Sequence, residues 1–147
     1  MIEEADAGGA GGFASPLDLA RFAQAILQGG ELDGSRILSA TTVRAMTTNQ
    51  IPGTPARFGS DVLVPEGSWG YGFSVICEQR WPWFGGGLVP NGSVTHPGAG
   101  GVNFWIDLHN EIVGVWFEVV TEMSELNQPV SGRSHRFQDV ITGAVVA

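Results

Sequence analysis

Two apolar segments separated by a short polar step constrain the fold of this chain more than any other feature. Residues 102–107 (VNFWID) and 111–120 (EIVGVWFEVV) read as strands joined at His109-Asn110, most simply as an antiparallel hairpin. In the second segment Val113, Val115, Phe117 and Val119 alternate on one face, while Ile112, Trp116 and Val120 lie on the other. A half-buried strand shows one apolar face. This one shows two, the pattern of a central strand covered on both sides.

Helical signals flank that sheet. Ser15 is a good N-cap, Pro16 suits the first helical turn, and Asp18 completes a capping-box pattern. Leu17, Ala20, Phe22, Ala23, Ile26 and Leu27 then keep a helical period until Gly29-Gly30. Leu32-Asp33-Gly34 predicts a turn, and Ser39 caps a second, shorter helix over residues 40–48. Residues 49–69 hold Pro52, Pro55 and Pro65 without periodicity and read as a long loop, a kind of segment that often carries function. Residues 69–77 form another candidate strand, and 81–93 a connection with a turn at Asn91-Gly92. After a polar break at 121–132, Phe137, Val140, Ile141, Ala144 and Val145 give one apolar helical stripe. The expected fold is α+β over residues 1–147 as a single domain, an antiparallel sheet flanked by helices with a closing C-terminal helix.

Charge narrows the function. The formal net charge is −8, carried against seven arginines and no lysine. So acidic a chain has no electrostatic reason to bind nucleic acid. Without lysine it cannot hold a Walker-type phosphate loop, a Schiff base or a Ser-Lys dyad. The single cysteine, Cys77, lies in an apolar run and reads as a small buried hydrophobe. His109 and His135 have no metal-ligand spacing to each other or to Cys77, so no metal and no cofactor is expected. No segment approaches the roughly 20 apolar residues of a membrane span. Residues 1–12 are acidic and glycine-rich, unlike a signal peptide. The chain as written is therefore expected to be cytoplasmic, with export of a longer parent left open.

Two motif matches fail on context. Residues 9–14 (GAGGFA) fit G-x-G-x-x-A before a helix, but an acidic stretch precedes them where a dinucleotide fold needs an apolar strand. Asn91-Gly92-Ser93 fits a glycosylation sequon and is better explained as a turn.

One stretch carries chemistry. Thr95-His96-Pro97-Gly98-Ala99-Gly100-Gly101, running into the first apolar segment, resembles the third active-site motif of the penicillin-recognising serine hydrolases, Lys-Thr-Gly or His-x-Gly. That family includes class C β-lactamases, D-alanyl-D-alanine carboxypeptidases and related esterases. Residues 11–22 (GGFASPLDLARF), Leu32-Asp33-Gly34, Ile37-Leu38-Ser39 and Trp69-Gly70-Tyr71-Gly72-Phe73 are similar to family segments in the same order.

The resemblance implies a strand lining an acyl-transfer cleft. His96 would meet a substrate carboxylate or the shuttle tyrosine, and Gly98 would leave room for substrate. The N–H of Ala99 would be one of two donors for the oxyanion. Pro97 departs from the usual Thr or Ser, which mildly favours a simple ester. The family's Ser-x-x-Lys is absent, Tyr71-Gly72-Phe73 is not Tyr-x-Asn, and no G-x-S-x-G elbow occurs. The chain is therefore expected to be the C-terminal part of a β-lactamase/transpeptidase-like domain, inactive alone. Its partners would be a small ester or amide in the complete enzyme, and a missing N-terminal half or a second copy. The alternatives are a non-catalytic relative that binds ligands or partners, and an unrelated α+β domain.

Overall fold

The computed structural model of the chain describes residues 12–58, 62–79, 85–98, 100–119 and 132–145. Helix α1 (Pro16–Leu27) starts on a complete capping box. The Ser15 hydroxyl accepts from the Asp18 N–H at 3.2 Å, and the Asp18 carboxylate accepts from the Ser15 N–H at 2.9 Å. Hydrogen bonds from the Ser15 side chain and backbone hold the Asp18 carboxyl below its ordinary value. The helix stops at Gly29 and Gly30, both in the left-handed region at φ 74° and 94°. Strands β1 (Glu31–Leu32) and β2 (Ser35–Arg36) follow as an antiparallel hairpin. Asp33 and Gly34 sit at φ 51° and 77°, the doubly left-handed turn whose twist matches paired strands. Ser39 then caps helix α2 (Ala40–Thr47), its hydroxyl accepting from the Thr42 N–H at 3.0 Å.

Residues 49–69 are not the structureless loop that their composition predicts. They hold a second hairpin, β3 (Ala56–Phe58) with β4 (Val62–Val64). Strands of three residues flanked by Pro55 and Pro65 are too short to leave a periodic trace in the sequence. The candidate strand over 69–77 shrinks to β5 (Ser74–Val75), preceded by an isolated bridge between Trp69 and Ser74. The chain doubles back here: Gly72 lies at φ 88°, and the Gly70 N–H donates to the Phe73 carbonyl at 2.8 Å.

The main sheet has the order β5-β6-β7-β8, all antiparallel, with β6 at Val94–Pro97, β7 at Asn103–Asp107 and β8 at Ile112–Trp116. The expected hairpin is β7–β8, closing at the Asp107–Ile112 pair. Asp107 is fully buried and builds the turn. One carboxylate oxygen accepts from the His109 and Asn110 N–H groups, each at 2.9 Å, and the other from the Asn110 side-chain amide at 2.7 Å.

Register sets the faces. Val94, Phe104, Ile106, Val113 and Val115 pack towards Ala23 and Ile26 of α1. Trp105, on the opposite face, packs with Ile76 and Val89 against Phe137 and Ile141 of the closing helix α3 (Gly132–Val145). Gly114 lies directly across from Trp105, and a Cβ there would overlap the indole ring. The missing side chain is what lets the indole lie across β8. Helices thus cover both faces, and packing divides Val113 and Val115, on the α1 side, from Trp116, against Phe137 of α3, as the alternation requires.

Two expectations are corrected. Strand β8, read as central, is the last strand of the sheet among the described residues; coverage by helices on both faces, not a flanking strand, accounts for its composition. It also ends at Trp116, and Val120 lies outside the described residues. In α3 the most buried residues are Ser134, Gln138 and Thr142, while Val140 and Val145 of the expected stripe are exposed. Hydrogen bonds set this rotation. Gln138 Oε1 accepts from the Gly86 N–H at 2.7 Å, and Asp139 Oδ1 from the Leu88 N–H at 2.8 Å. Among the described residues no helix is long and apolar enough to cross a membrane.

Candidate active site

The sequence-predicted site lies at the end of β6. Pairing of β6 with β5 stops at Thr95, whereas pairing with β7 continues through His96–Phe104 and Pro97–Asn103. Beyond Thr95, therefore, β6 has a ladder partner on one side only among the described residues. That geometry tolerates Pro97, whose missing N–H no second strand requires. His96 is exposed on this half-open stretch. Beneath it Thr95 is fully buried, its hydroxyl bonded to Asn103 Oδ1 at 2.9 Å and to the Phe104 carbonyl at 2.8 Å. These bonds tie β6 to β7 directly under the motif.

The turn after Pro97 is tight. The Gly98 N–H donates to the Val102 carbonyl at 2.6 Å, and the Gly101 N–H to the Gly98 carbonyl at 3.1 Å. Gly101, at φ 97°, occupies a conformation that favours glycine. Gly98 does not share it. A Cβ at Gly98 would meet Val102 Cβ at 3.5 Å and the Val102 carbonyl oxygen at 3.6 Å, ordinary van der Waals contact. The fold therefore leaves space for a side chain where the sequence has none. Ala99, to which the sequence reading gives the oxyanion N–H, lies outside the described residues.

One neighbour of His96 went unnoticed in the linear sequence. The Trp69 indole meets the imidazole edge-on, with ring centroids 6.0 Å apart and planes at 73°. The two residues are far apart in sequence and meet because Ser74 bridges Trp69 on one side and pairs with Thr95 on the other. No local spacing announces such a contact. Tyr71, by contrast, is exposed at the turn before β5.

The other reactive side chains do not assemble around His96. His109 sits in the β7–β8 turn, His135 on α3 and Cys77 just after β5. Among the described residues no group of three His, Cys, Asp or Glu side chains could hold a metal ion. Ser68 and Ser93 bury hydroxyls that lack a hydrogen-bond partner.

Residues 2–127 match the sequence pattern of the family described as Beta-lactamase. A crystal structure of a beta-lactamase from Mycobacterium bovis superposes with a TM-score of 0.65 at 22% identity, covering 88% of this chain and 42% of that one. At that identity the likeness speaks to fold: an antiparallel sheet with flanking helices. The present chain spans less than half the length of the solved structure. No curated protein matches it.

Proposed function

This chain belongs to the β-lactamase family, and on that premise we propose that it is the C-terminal part of a serine hydrolase that transfers acyl groups from small esters or amides. In this reading β6 is one wall of the cleft. His96 meets the substrate or the shuttle tyrosine, Gly98 leaves room for the acyl group, and Ala99 N–H is one oxyanion donor. The serine, its activating lysine and the tyrosine come from outside these 147 residues, which contain no lysine at all.

The observation that carries the proposal is the half-open end of β6. An exposed histidine and a glycine not required by the backbone stand together where a substrate can lie alongside the strand.

The test is complementation. The chain alone should form no adduct with a fluorophosphonate and should not turn over a p-nitrophenyl ester. Adding a segment that carries Ser-x-x-Lys and Tyr-x-Asn from a family member should restore hydrolysis, and His96→Gln should abolish most of it. An adduct on the isolated chain would show that it holds its own activated serine and would sink the half-site reading.

A second reading, a non-catalytic module for binding partners, has its own support. Phe13, just before α1, and Leu17, in its first turn, are 88% and 76% exposed, and Val140 and Val145 are exposed on α3. Apolar side chains so placed favour docking of another segment or self-association. A complex that forms with the added segment yet stays inert would favour this reading.

A further inference from the structure

We propose that Trp69 is a positioning residue for His96, holding in one orientation an imidazole that is exposed at the end of β6. The inference rests on the reading of His96 as part of the acyl-transfer cleft. An exposed side chain at a strand end ordinarily samples several rotamers, and a group that must meet substrate loses rate when its direction is not fixed.

On the β6–β7 ladder His96 is paired with Phe104, which is packed edge-on to Phe73, ring centroids 5.9 Å apart. The Trp69 indole approaches at 6.0 Å from the β5 side.

Trp69 is fixed more firmly than a loop residue needs to be. Its N–H donates to Asn49 Oδ1 at 3.1 Å, and its carbonyl accepts from the Gln50 N–H at 2.8 Å. Asn49 is held in turn: its Oδ1 also accepts from the Ile51 N–H at 3.0 Å, and its amide donates to Glu66 Oε1 at 2.8 Å. The following residue, Gly70, lies against the Met46 and Thr48 carbonyls with no space for a Cβ. The end of α2, the clasp at Asn49 and the bridge to β5 thus fix the backbone from which the indole projects. A tryptophan that served packing alone would not need to direct its ring at the one exposed histidine of the motif.

Nuclear magnetic resonance on the isotopically labelled 147-residue chain tests this. The His96 ring protons should be displaced by the indole ring current relative to those of His109, which lies in a distant turn. Trp69→Leu should remove the displacement, and Trp69→Phe should restore part of it. In the reciprocal variant, His96→Gln at an exposed position should move the Trp69 indole resonances and leave those of Trp105 and Trp116 in place. This second arm decides the question if Trp69→Leu fails to fold, as a collapse of the native His109 resonance would reveal.

Unmoved His96 resonances in folded Trp69→Leu, or unmoved Trp69 resonances in His96→Gln, would overturn the contact. In the complemented enzyme Trp69→Leu should lower kcat about tenfold or more with KM little changed, and Trp69→Phe should recover much of it. An unchanged kcat would overturn the positioning role. Full activity in His96→Gln would instead refute the catalytic reading of His96, whatever the resonances show.

Discussion

Gly98→Ala separates a demand of the fold from a demand of chemistry. The added methyl would sit 3.5 Å from Val102 Cβ and 3.6 Å from the Val102 oxygen, neither of which has to move. The backbone at Gly98 is also outside the left-handed region, so alanine incurs no conformational strain there. Removing glycine's freedom from the unfolded chain then stabilises the fold by about 0.4–1 kcal/mol. With a urea m-value of about 1–3 kcal/mol per molar, the midpoint should rise by a few tenths of a molar.

Activity should move the other way. In the enzyme complemented with its nucleophile-bearing segment, the methyl occupies space beside β6 that the proposal reserves for substrate. A displacement of an ångström there costs on the order of 100-fold in turnover. The assays are urea unfolding of the isolated chain, followed by tryptophan fluorescence, and ester hydrolysis by the complemented enzyme. Destabilisation by more than about 1 kcal/mol would place the need for glycine in the fold, outside the range of an ordinary compatible substitution. Unchanged hydrolysis would show that this strand does not border the substrate.

Three further substitutions test the architecture around the site. Gly114→Ala drives a Cβ into the Trp105 indole and should cost about 1–3 kcal/mol as overpacking; in a Trp105→Leu background most of that cost should vanish, and an equal cost in both backgrounds would refute the contact. Asp107→Ala leaves the His109 and Asn110 N–H groups without their acceptor and should lower stability by about 1–3 kcal/mol in denaturant unfolding, with Asp107→Asn losing less. For the α1 capping box the sign follows from a folded-state Asp18 carboxyl held below its ordinary value. Its contribution is present above the unfolded-state range and is lost as pH falls through the folded value. The stability difference between the native chain and Asp18→Ala should therefore be flat near neutrality and close only in acid; a difference that grew on acidification would refute the assignment.

What was legible in the sequence is what is decided locally. The Ser15–Asp18 box, the Asp33-Gly34 turn and the β7–β8 hairpin each depend on residues within a few positions of one another, and each stands where the sequence placed it. The β3–β4 hairpin is local too, but strands of three residues carry too few alternations to register as a period. The closing helix shows a different limit. Its apolar residues alone favour a stripe through Val140 and Val145, yet Gln138 and Asp139 accept N–H groups from Gly86 and Leu88, and those bonds turn Ser134, Gln138 and Thr142 inward. The Gly86 N–H is buried, and a buried N–H left without an acceptor costs about 1–3 kcal/mol, as much as burying an aliphatic side chain gains. The polar contacts could therefore decide the rotation, and their partners lie some fifty residues upstream, beyond the reach of any helical period.

The same distinction governs the site. His96 and Gly98 stand out through a motif resemblance contained in one short stretch, and the structure adds that β6, where this stretch begins, is paired on one side only beyond Thr95 among the described residues. Trp69 reaches His96 only through the register of β5 against β6, set by the Ser74–Thr95 pair. A shift of one residue in that register would turn every side chain of β5 to the opposite face. The indole, approaching from beyond β5, would no longer have the same path to the imidazole. The segment 49–69 thus acquires a purpose that its composition does not disclose: its clasped ends, Asn49 and Trp69, hold an aromatic ring beside the exposed histidine of β6.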